Sequence, residues 1–485
     1  MKSELKSRVA AGAEWTMGEK IASALVQFVV RVLILRLLLP EDLKVIALLL
    51  AFSSFALVVV DSGFSQMLVR KADPTKSDYK SVFLFNIITA LLLYGALVVA
   101  MPFLSDYYAM PILEEVAPLF FLMIPLNALG VIQHTILTRS FAFARISKII
   151  FLAQLLSGLA AVAMAYTGLG VWALVWQQVL LMAIRAALFW WWGGWKPTGR
   201  ASLTALGAMA PYSMSLLASD LVTAIYNKVP HLFLGKIYAD ATLGYYDQAI
   251  KLKDLPVQSA MQSVQQVTFP ALASIADKRE KFAESYRQVL MVVAYAIFPV
   301  MLGMAAVAHD LFAVLLTEEW MPTVPLFEVV CLAGLFTPLA MMAYNVLKVK
   351  AEGRLIIRLE ILKKGFMTLA LLWSIPRSVE AVVWALVASA AFDCGVNLLA
   401  SMRLAALKIG RVVRTLLPIA LVSLAMFVVA RGVMWVMDSS LLRLVVQIAV
   451  GVVVYLGLSW VFRLEALNEI LQLIQKQFGR SSRKG

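Results

Sequence analysis

The chain has 485 residues, of which 62% are hydrophobic and 15% are charged, and its formal net charge is +14. Because roughly a quarter of the residues in soluble domains are charged, this composition excludes a soluble protein and predicts an all-α integral membrane protein. Hydrophobic runs recur from about residue 21 to about residue 463 with short breaks, which leaves no room for a soluble domain.

The hydrophobic runs predict about 14 transmembrane helices, since a span needs about 20 mostly apolar residues to cross a hydrocarbon core of about 30 Å. The predicted spans lie at 21–39, 44–64, 81–104, 116–138, 147–166, 170–192, 205–234, 248–274, 286–308, 325–347, 356–375, 379–402, 412–432 and 441–462. The first run contains two arginines and no small-residue cleavage site follows it, so we expect a retained span and no signal peptide.

The positive charge is distributed unevenly between the two ends of these spans. Of the 43 lysines and arginines, 31 lie in segments on one side. The opposite side carries three, Lys236, Arg377 and Arg443, and has acids instead, such as Glu41 and Asp42. Lysine and arginine collect in cytoplasmic loops. We therefore expect a multi-pass protein of the cytoplasmic (inner) cell membrane with both termini in the cytoplasm. The excess charge is then a topology signal, and no nucleic-acid partner is expected.

A polar stripe runs along the first span. Lys20, Gln27 and Arg31 are spaced seven and four residues apart, which places them on one helix face. An ionisable group near the bilayer centre costs about 2.5 to 3.5 kcal/mol on insertion scales, so such groups normally face the interior of a helix bundle. We predict that these three residues bind substrate, with Arg31 as the best single candidate because it lies in the middle of the span.

An isolated acid, Asp61, ends the apolar run of the second span. The topology places it near the cytoplasmic side, before Arg70, and the nearby Gly63 predicts a bend or a close helix contact. We expect Asp61 and Arg70 to have a gating role, such as pairing of the acid with a basic group at the cytoplasmic mouth. Contact of Asp61 with an ion or with substrate is the alternative.

The seventh span carries a second polar stripe. Ser213, Asp220 and Asn227 recur at intervals of seven residues and are predicted to bind substrate, and His231 continues the same face. For His231, a structural role as an interior histidine is the alternative to ligand binding.

The eighth predicted span is too polar to face lipid. Its predicted substrate-binding residues are Lys251, Lys253, Gln258, Gln262 and Gln265. We expect this helix to line an aqueous passage, and hydrogen-bonded packing between helices is the alternative. Weaker candidates of the same kind are Gln154, Gln177, Gln178, Arg185, Asp393 and Asn397.

An internal repeat organises the spans. VWALV at 171–175 returns at 383–387, and PLF at 118–120 returns at 325–327. The offset corresponds to six spans and preserves orientation, so it predicts two parallel six-helix lobes around a central cavity that opens alternately to either side. The predicted segments are an N-lobe at 1–200 with spans 1–6, a C-lobe at 201–403 with spans 7–12, two further helices at 404–463 and an amphipathic cytoplasmic tail at 464–485.

Several chemical motifs are missing from the sequence. There is no phosphate-binding G-x-x-x-x-G-K-S/T loop, no histidine and cysteine cluster with metal spacing, and no long external loop that could host sugar-transfer chemistry. Cys331 and Cys394 lie inside apolar runs and are expected to be buried small hydrophobes. We expect no catalytic residues, metal or cofactor, which favours a transporter over a membrane-embedded glycan polymerase or ligase.

Several segments in combination carry a family resemblance. They include RLLLPEDL at 36–43, VDSGFSQMLVRK at 60–71, LGYYDQAIKLKDLP at 243–256 and LEILKKG at 359–365. The chain resembles the polysaccharide-transporter branch of the multidrug/oligosaccharidyl-lipid/polysaccharide (MOP) exporter superfamily, especially exporters of the colanic-acid and teichuronic-acid type. It departs from the usual pattern at 43–45, where an aromatic residue and a glycine are common.

The resemblance implies that the protein flips undecaprenyl-diphosphate-linked oligosaccharide across the membrane by alternating access. Membrane lipid and glycan polymerase or export machinery are the implied partners. Fixed cations such as Arg31, Lys251 and Lys253 fit a diphosphate. Two alternatives stay open: a cation-coupled multidrug or small-molecule exporter of the same superfamily, in which buried carboxylates would replace arginines in the first lobe, and a non-enzymatic polysaccharide assembly scaffold.

Overall fold

The computed structural model describes residues 25–61, 63–71, 73–140, 142–238, 241–273, 275–435, 437 and 439–469. In this part of the chain the regular structure is helical and contains no strand, which confirms the predicted all-α class. A helix satisfies its own backbone hydrogen bonds, as a segment crossing lipid must do.

The helices follow one another with short connections. In the first half they are α1 (25–37), α2 (Pro40–Asp61), α3 (Phe64–Arg70), α4 (Lys76–Tyr108), α5 (Ile112–Phe121), α6 (Met123–Arg139), α7 (Phe143–Tyr166), α8 (Val171–Gly193) and α9 (Leu203–Ile237). In the second half they are α10 (Thr242–Ala273), α11 (Arg279–Ala306), α12 (Ala308–Leu315), α13 (Thr323–Lys350), α14 (Gly353–Ser374), α15 (Val379–Leu404), α16 (Ile409–Gly432) and α17 (Ser440–Val461).

Eleven helical segments in the described residues are long and apolar enough to cross a membrane. Helices α10 and α14, which correspond to the predicted eighth and eleventh spans, are not among them. Both contain several charged or amide side chains, which lower their hydropathy. The predicted first span lies partly outside the described residues. The multi-pass helical architecture is therefore confirmed, and the exact number of 14 crossings is not.

The break between α2 and α3 lies at Gly63, whose φ is +68°. A Cβ atom at this position would lie 2.9 Å from the backbone oxygen of Ser213 and 2.9 Å from Cβ of Leu216, both in α9. Glycine is required at this position for two reasons. It tolerates the left-handed conformation, and α9 passes too close to leave room for a Cβ atom. The predicted bend and close helix contact are both confirmed.

The chain divides into two compact units, Met1–Asp247 and Gln248–Gly485. In the first unit α9 packs against α2 and α4, and in the second unit α13 packs against α11 and α15. The core of the second unit includes Phe282, Tyr286 and Met301. These units are defined by packing, whereas the predicted lobes were defined by the sequence repeat. The lobe boundaries therefore stay a prediction.

Two ion pairs connect the helix ends of the second unit. The Nε atom of Arg443 donates to Oδ2 of the buried Asp310 at 2.8 Å. At the other end, Nη1 of Arg287 donates to Oε2 of Glu465 at 2.9 Å. Asp310 and Arg443 belong to segments that the sequence places outside, whereas Arg287 and Glu465 belong to segments placed inside. Each pair thus joins residues that were assigned to the same membrane face.

Candidate functional site

The predicted cation of the first span lies in a charged cluster within the first unit. Nη2 of Arg31 in α1 lies 3.9 Å from Oδ2 of Asp247 in α10, and Nε2 of His231 in α9 lies 3.3 Å from Oδ1 of the same carboxylate. Asp247 and His231 are buried, and the His231 ring also packs edge-on against Tyr246. One buried acid therefore links the first and second polar stripes.

Asp247 is the residue of this cluster that sequence reasoning missed. It lies one position before the predicted start of the eighth span, in the segment LGYYDQAI. A physical signal was present in the sequence. The stripe of Arg31 contains no acid, and the acid on the stripe of His231, Asp220, lies 11 residues away. Cations inside a bundle are normally paired. The nearest acid on an adjoining polar helix was the residue to look for.

The second stripe does not form one continuous surface. Ser213 is fully buried beside Gly63, and no hydrogen-bond partner for its Oγ lies among the described residues. Asp220 and Asn227 are exposed on α9, and Gln27 is exposed on α1. Lys20 lies outside the described residues. The structure thus joins Arg31 to His231 through Asp247 and leaves Gln27, Asp220 and Asn227 accessible.

A second polar group surrounds the end of α2. The Asp61 carboxylate interacts electrostatically with His134 in α6 and with Asp220 in α9. The guanidinium of Arg185 in α8 also interacts electrostatically with His134. It donates a hydrogen bond to the side-chain oxygen of Asn127. The isolated acid and the weaker candidate Arg185 therefore belong to one neighbourhood in the first unit.

The two predicted gating residues lie on either side of the break at Gly63. Asp61 ends α2, and its Oδ1 has no hydrogen-bond partner within the described ranges. Arg70 ends α3, and its guanidinium carbon lies 4.7 Å from the centre of the Tyr212 ring in α9. Both residues therefore face α9 across the break, and their gating role stays a prediction.

The polar eighth span forms the single helix α10. Lys253 is buried, and its Nζ lies 2.5 Å from Oδ1 of the neighbouring Asp254, which partly neutralises this cation. Lys251 is half-buried. The side chains of Gln258, Gln262 and Gln265 lie outside the described part of the chain, so their predicted lining of a passage stays a prediction.

A further ionic cluster joins α13, α14 and α15 in the second unit. Nζ of Lys363 donates to Oε1 of Glu360 at 2.6 Å and to Oδ1 of Asn397 at 3.2 Å, and it lies 2.9 Å from Oδ1 of Asp393. The same ammonium lies 5.3 Å from the centre of the Tyr344 ring. Two weaker candidates, Asp393 and Asn397, therefore surround a lysine from the LEILKKG segment.

The residues that the structure describes contain no group of three or more histidine, cysteine, aspartate or glutamate side chains able to hold a metal ion. Cys331 and Cys394 are buried, unpaired thiols in the second unit. The Arg31 and Lys363 clusters are built from ion pairs and hydrogen bonds, and such groups can recognise a charged or hydroxyl-rich ligand.

Residues 33–325, more than half of the chain, match the sequence model of the family described as polysaccharide biosynthesis protein, and the chain belongs to this family. The teichuronic acid biosynthesis protein TuaB of Bacillus subtilis is 23% identical over 354 residues, which are 72% of this chain and 73% of TuaB. The match extends the similarity well beyond any single motif.

Solved structures show the same fold. The lipid II flippase MurJ in an inward closed conformation is 15% identical, with a TM-score of 0.72 over 93% of this chain and 98% of MurJ. An inward-facing multidrug resistance transporter of the MATE family in the MOP superfamily is 16% identical, with a TM-score of 0.61 over 81% of this chain and 98% of that one. The family match confirms the polysaccharide part of the resemblance, and these structures confirm the multi-span helical fold that it implied.

Proposed function

We propose that the protein is a flippase that moves undecaprenyl-diphosphate-linked oligosaccharide from the cytoplasmic to the outer leaflet of the cytoplasmic membrane by alternating access. One combined observation carries this proposal: a chain of a polysaccharide biosynthesis family folds as a multi-span helical protein like MurJ. TuaB is named for teichuronic acid biosynthesis and MurJ for flipping lipid II. A membrane protein that is similar both to a polysaccharide biosynthesis protein and to a lipid flippase fits the translocation step between glycan synthesis and export.

The Arg31 cluster supports an anionic headgroup as the ligand. The side chain of Arg31 is 26% exposed, whereas that of Asp247 is 4% exposed. The buried carboxylate can therefore hold the guanidinium in place, while part of the Arg31 side chain with its N–H donors is exposed. A guanidinium has five such donors and binds phosphate oxygens in pairs. Arg31 is thus suited to receive a diphosphate, and a low-dielectric surrounding strengthens that attraction.

Exposed amides support a carbohydrate next to that headgroup. Gln27 in α1 and Asn227 in α9 are both exposed within membrane helices of the first unit. An amide offers donors and an acceptor to sugar hydroxyls. In this proposal Arg31 holds the diphosphate, and the amides contact the attached sugars.

The carboxylates near the end of α2 support a second candidate, a cation-coupled exporter of small molecules. Asp61 and Asp220 interact within the first unit, and carboxylates in that position suit a coupling cation. The family assignment favours polysaccharide over drugs as the cargo. A scaffold without transport activity is the third possibility, and its distinguishing property would be the absence of any substrate translocation.

Reconstitution in vesicles tests these possibilities. Purified protein is incorporated into liposomes that contain an undecaprenyl-diphosphate-linked oligosaccharide, and a membrane-impermeant glycosidase then reports how much sugar reaches the outside. If the protein flips this lipid, the oligosaccharide of the inner leaflet should become accessible to the glycosidase in vesicles that contain the protein. Vesicles with heat-denatured protein provide the background.

Three outcomes separate the candidates. Accessibility equal to the background, from protein that elutes as a folded species, would contradict the flippase and favour a scaffold. Export of a cationic dye driven by an imposed sodium or proton gradient, without oligosaccharide flipping, would favour the drug exporter. In cells, the proposed topology predicts that both termini are digested only when a protease has access to the cytoplasmic side. Crosslinking of the chain to a glycan polymerase would test the proposed export partner.

A further inference from the structure

A cavity of about 720 Å³ lies at one end of the second unit. It is formed where α11 and α16 begin and where the chain leaves α17. Since α16 and α17 are both long enough to cross the membrane, their beginning and end respectively lie at the same membrane boundary. The charge asymmetry of the sequence assigns this boundary to the cytoplasmic side.

The charged lining of the cavity is predominantly positive. It consists of Arg287, Arg411, Arg414, Arg463, Glu284 and Glu465. Both acids are engaged by one cation, because Nη2 of Arg287 lies 2.6 Å from Oε1 of Glu284 and Nη1 of Arg287 donates to Oε2 of Glu465 at 2.9 Å. Within the described ranges, no acid forms an ion pair with Arg414 or Arg463. The remaining arginines therefore give the cavity an excess of positive charge that attracts an anion.

The other side of the cavity is apolar and open. Leu417 and Leu421 line it on α16, and Phe462 lines it just after α17, and all three side chains are exposed. Arg414, Leu417 and Leu421 are spaced three and seven residues apart and so share one helix face. Leu421 lies about 10 Å farther along the helix than Arg414. The site is therefore cationic at the membrane boundary and apolar toward the membrane interior.

This arrangement distinguishes between possible occupants. Inorganic phosphate would satisfy the arginines and leave the apolar wall uncovered. The sequence that follows, 470–485, contains four basic and no acidic side chains, which does not complement an arginine-rich cavity. An anionic lipid matches both parts, because its phosphate meets the guanidinium groups and its acyl chain covers exposed apolar surface.

We propose that this cavity binds an anionic phospholipid of the leaflet at that boundary. The headgroup phosphate lies between Arg411, Arg414 and Arg463, and one acyl chain follows Leu417 and Leu421. The Arg287 ion pairs hold the start of α11 against the residues after α17 and so shape the wall of the site. This binding site is separate from the Arg31 cluster, and it does not depend on the proposed flippase activity.

Native mass spectrometry of the purified full-length protein in detergent tests this binding site. The probes are dioleoylphosphatidylglycerol and dioleoylphosphatidylcholine, which share acyl chains and differ in net charge. We expect the wild-type protein to retain phosphatidylglycerol more strongly. In the double variant Arg411→Gln/Arg414→Gln the preference should fall by about 25-fold, since each basic residue near a membrane surface contributes on the order of a fivefold attraction. Both arginines are exposed, so the variant should fold, and its thermal unfolding should match the wild type.

A matched control is Arg403→Gln/Lys408→Gln, which removes the same charge from the same basic segment without touching the cavity lining. Its lipid preference should equal that of the wild type. An equal loss in both double variants would overturn the proposal in favour of diffuse surface attraction. Leu417→Ser/Leu421→Ser should weaken retention of phosphatidylglycerol with all arginines present. Unchanged retention in that variant, or complete displacement of the lipid by excess inorganic phosphate, would also overturn it.

Discussion

In the first unit the Arg31 side chain is 26% exposed and its partner Asp247 is 4% exposed. In the second unit the order is reversed, because Lys363 is 9% exposed while its partners Glu360 and Asp393 are 38% and 41% exposed. The first cluster presents a cation to its surroundings and buries the acid. The second buries the cation and presents carboxylates.

The difference shows which member of each cluster depends on its partner. A buried charge without a partner is strongly destabilising, whereas an exposed charge that loses its partner is hydrated by water. Exposed members are available to a ligand, and buried members hold them in place. Deleting the exposed carboxylates around Lys363 should therefore damage stability more than deleting Lys363 itself. In the first unit the exposed Arg31 is the candidate ligand contact, and its deletion leaves the buried Asp247 with His231 at 3.3 Å as a second partner. Deletion of Arg31 should therefore reduce transport more than it reduces stability.

The largest effect is expected from the double variant Glu360→Ala/Asp393→Ala. It leaves Lys363 buried beside Asn397 with neither carboxylate, which should lower the free energy of unfolding by roughly 3 kcal/mol. Thermal unfolding of the purified protein in detergent measures this loss. Adding Lys363→Met to the double variant removes the orphaned charge and should restore most of the stability. Failure of that third substitution to restore stability would show that the carboxylates act through other contacts.

Arg31→Ala should reduce the rate of flipping in vesicles by about tenfold to a hundredfold. This factor corresponds to the free energy of a charge-assisted hydrogen bond to a phosphate. Arg31→Lys keeps the charge but loses the paired donors, so an intermediate rate is expected. Arg36→Ala on the same helix is the control, because Arg36 is exposed and belongs to neither polar stripe. If Arg31→Ala flips at the wild-type rate, the cation presented by the first cluster is not a substrate contact.

Gly63→Ala tests whether α9 must stay close to α2 for the first cluster to form. The added Cβ would lie 2.9 Å from the Ser213 oxygen, and the backbone at position 63 is left-handed. We expect a loss of roughly 2 kcal/mol in unfolding free energy. Gly95→Ala in α4 is the matched control, because nothing lies within 4 Å of the added atom. Similar unfolding temperatures for the two variants would contradict the close contact.

The sequence predicted those parts of the molecule that follow from local chemistry. Hydrophobic runs identified the membrane helices, and the bend at Gly63 followed from glycine next to a polar break in an apolar run. The Arg31 stripe was found because helical spacing places residues four and seven apart on one face. The fold shared with MurJ therefore agrees with the helices that hydropathy and residue spacing predicted.

The missed features depend on contacts between distant segments. Asp247 lies 216 positions from Arg31, and helical spacing within one span gives no information about such a partner. Periodicity also could not show that Ser213 is buried whereas Asp220 is exposed, because that depends on where α2 passes. The cavity between α11, α16 and α17 joins three segments that the sequence had treated only as basic loops.

Lys363→Met is expected to have the smallest effect and tests the comparison most directly. It removes a buried ammonium and leaves two carboxylates that are 38% and 41% exposed, so the loss should be about 1 kcal/mol or less. The methionine fills most of the vacated volume, which limits any cavity cost. Thermal unfolding should rank this variant well above Glu360→Ala/Asp393→Ala in stability. Equal losses would mean that exposure does not decide which charge depends on its partner. A reversed ranking would mean that the lysine anchors α14 through its contact with Tyr344 and Asn397. Packing, and not the exposure of the charges, would then explain the difference between the two units.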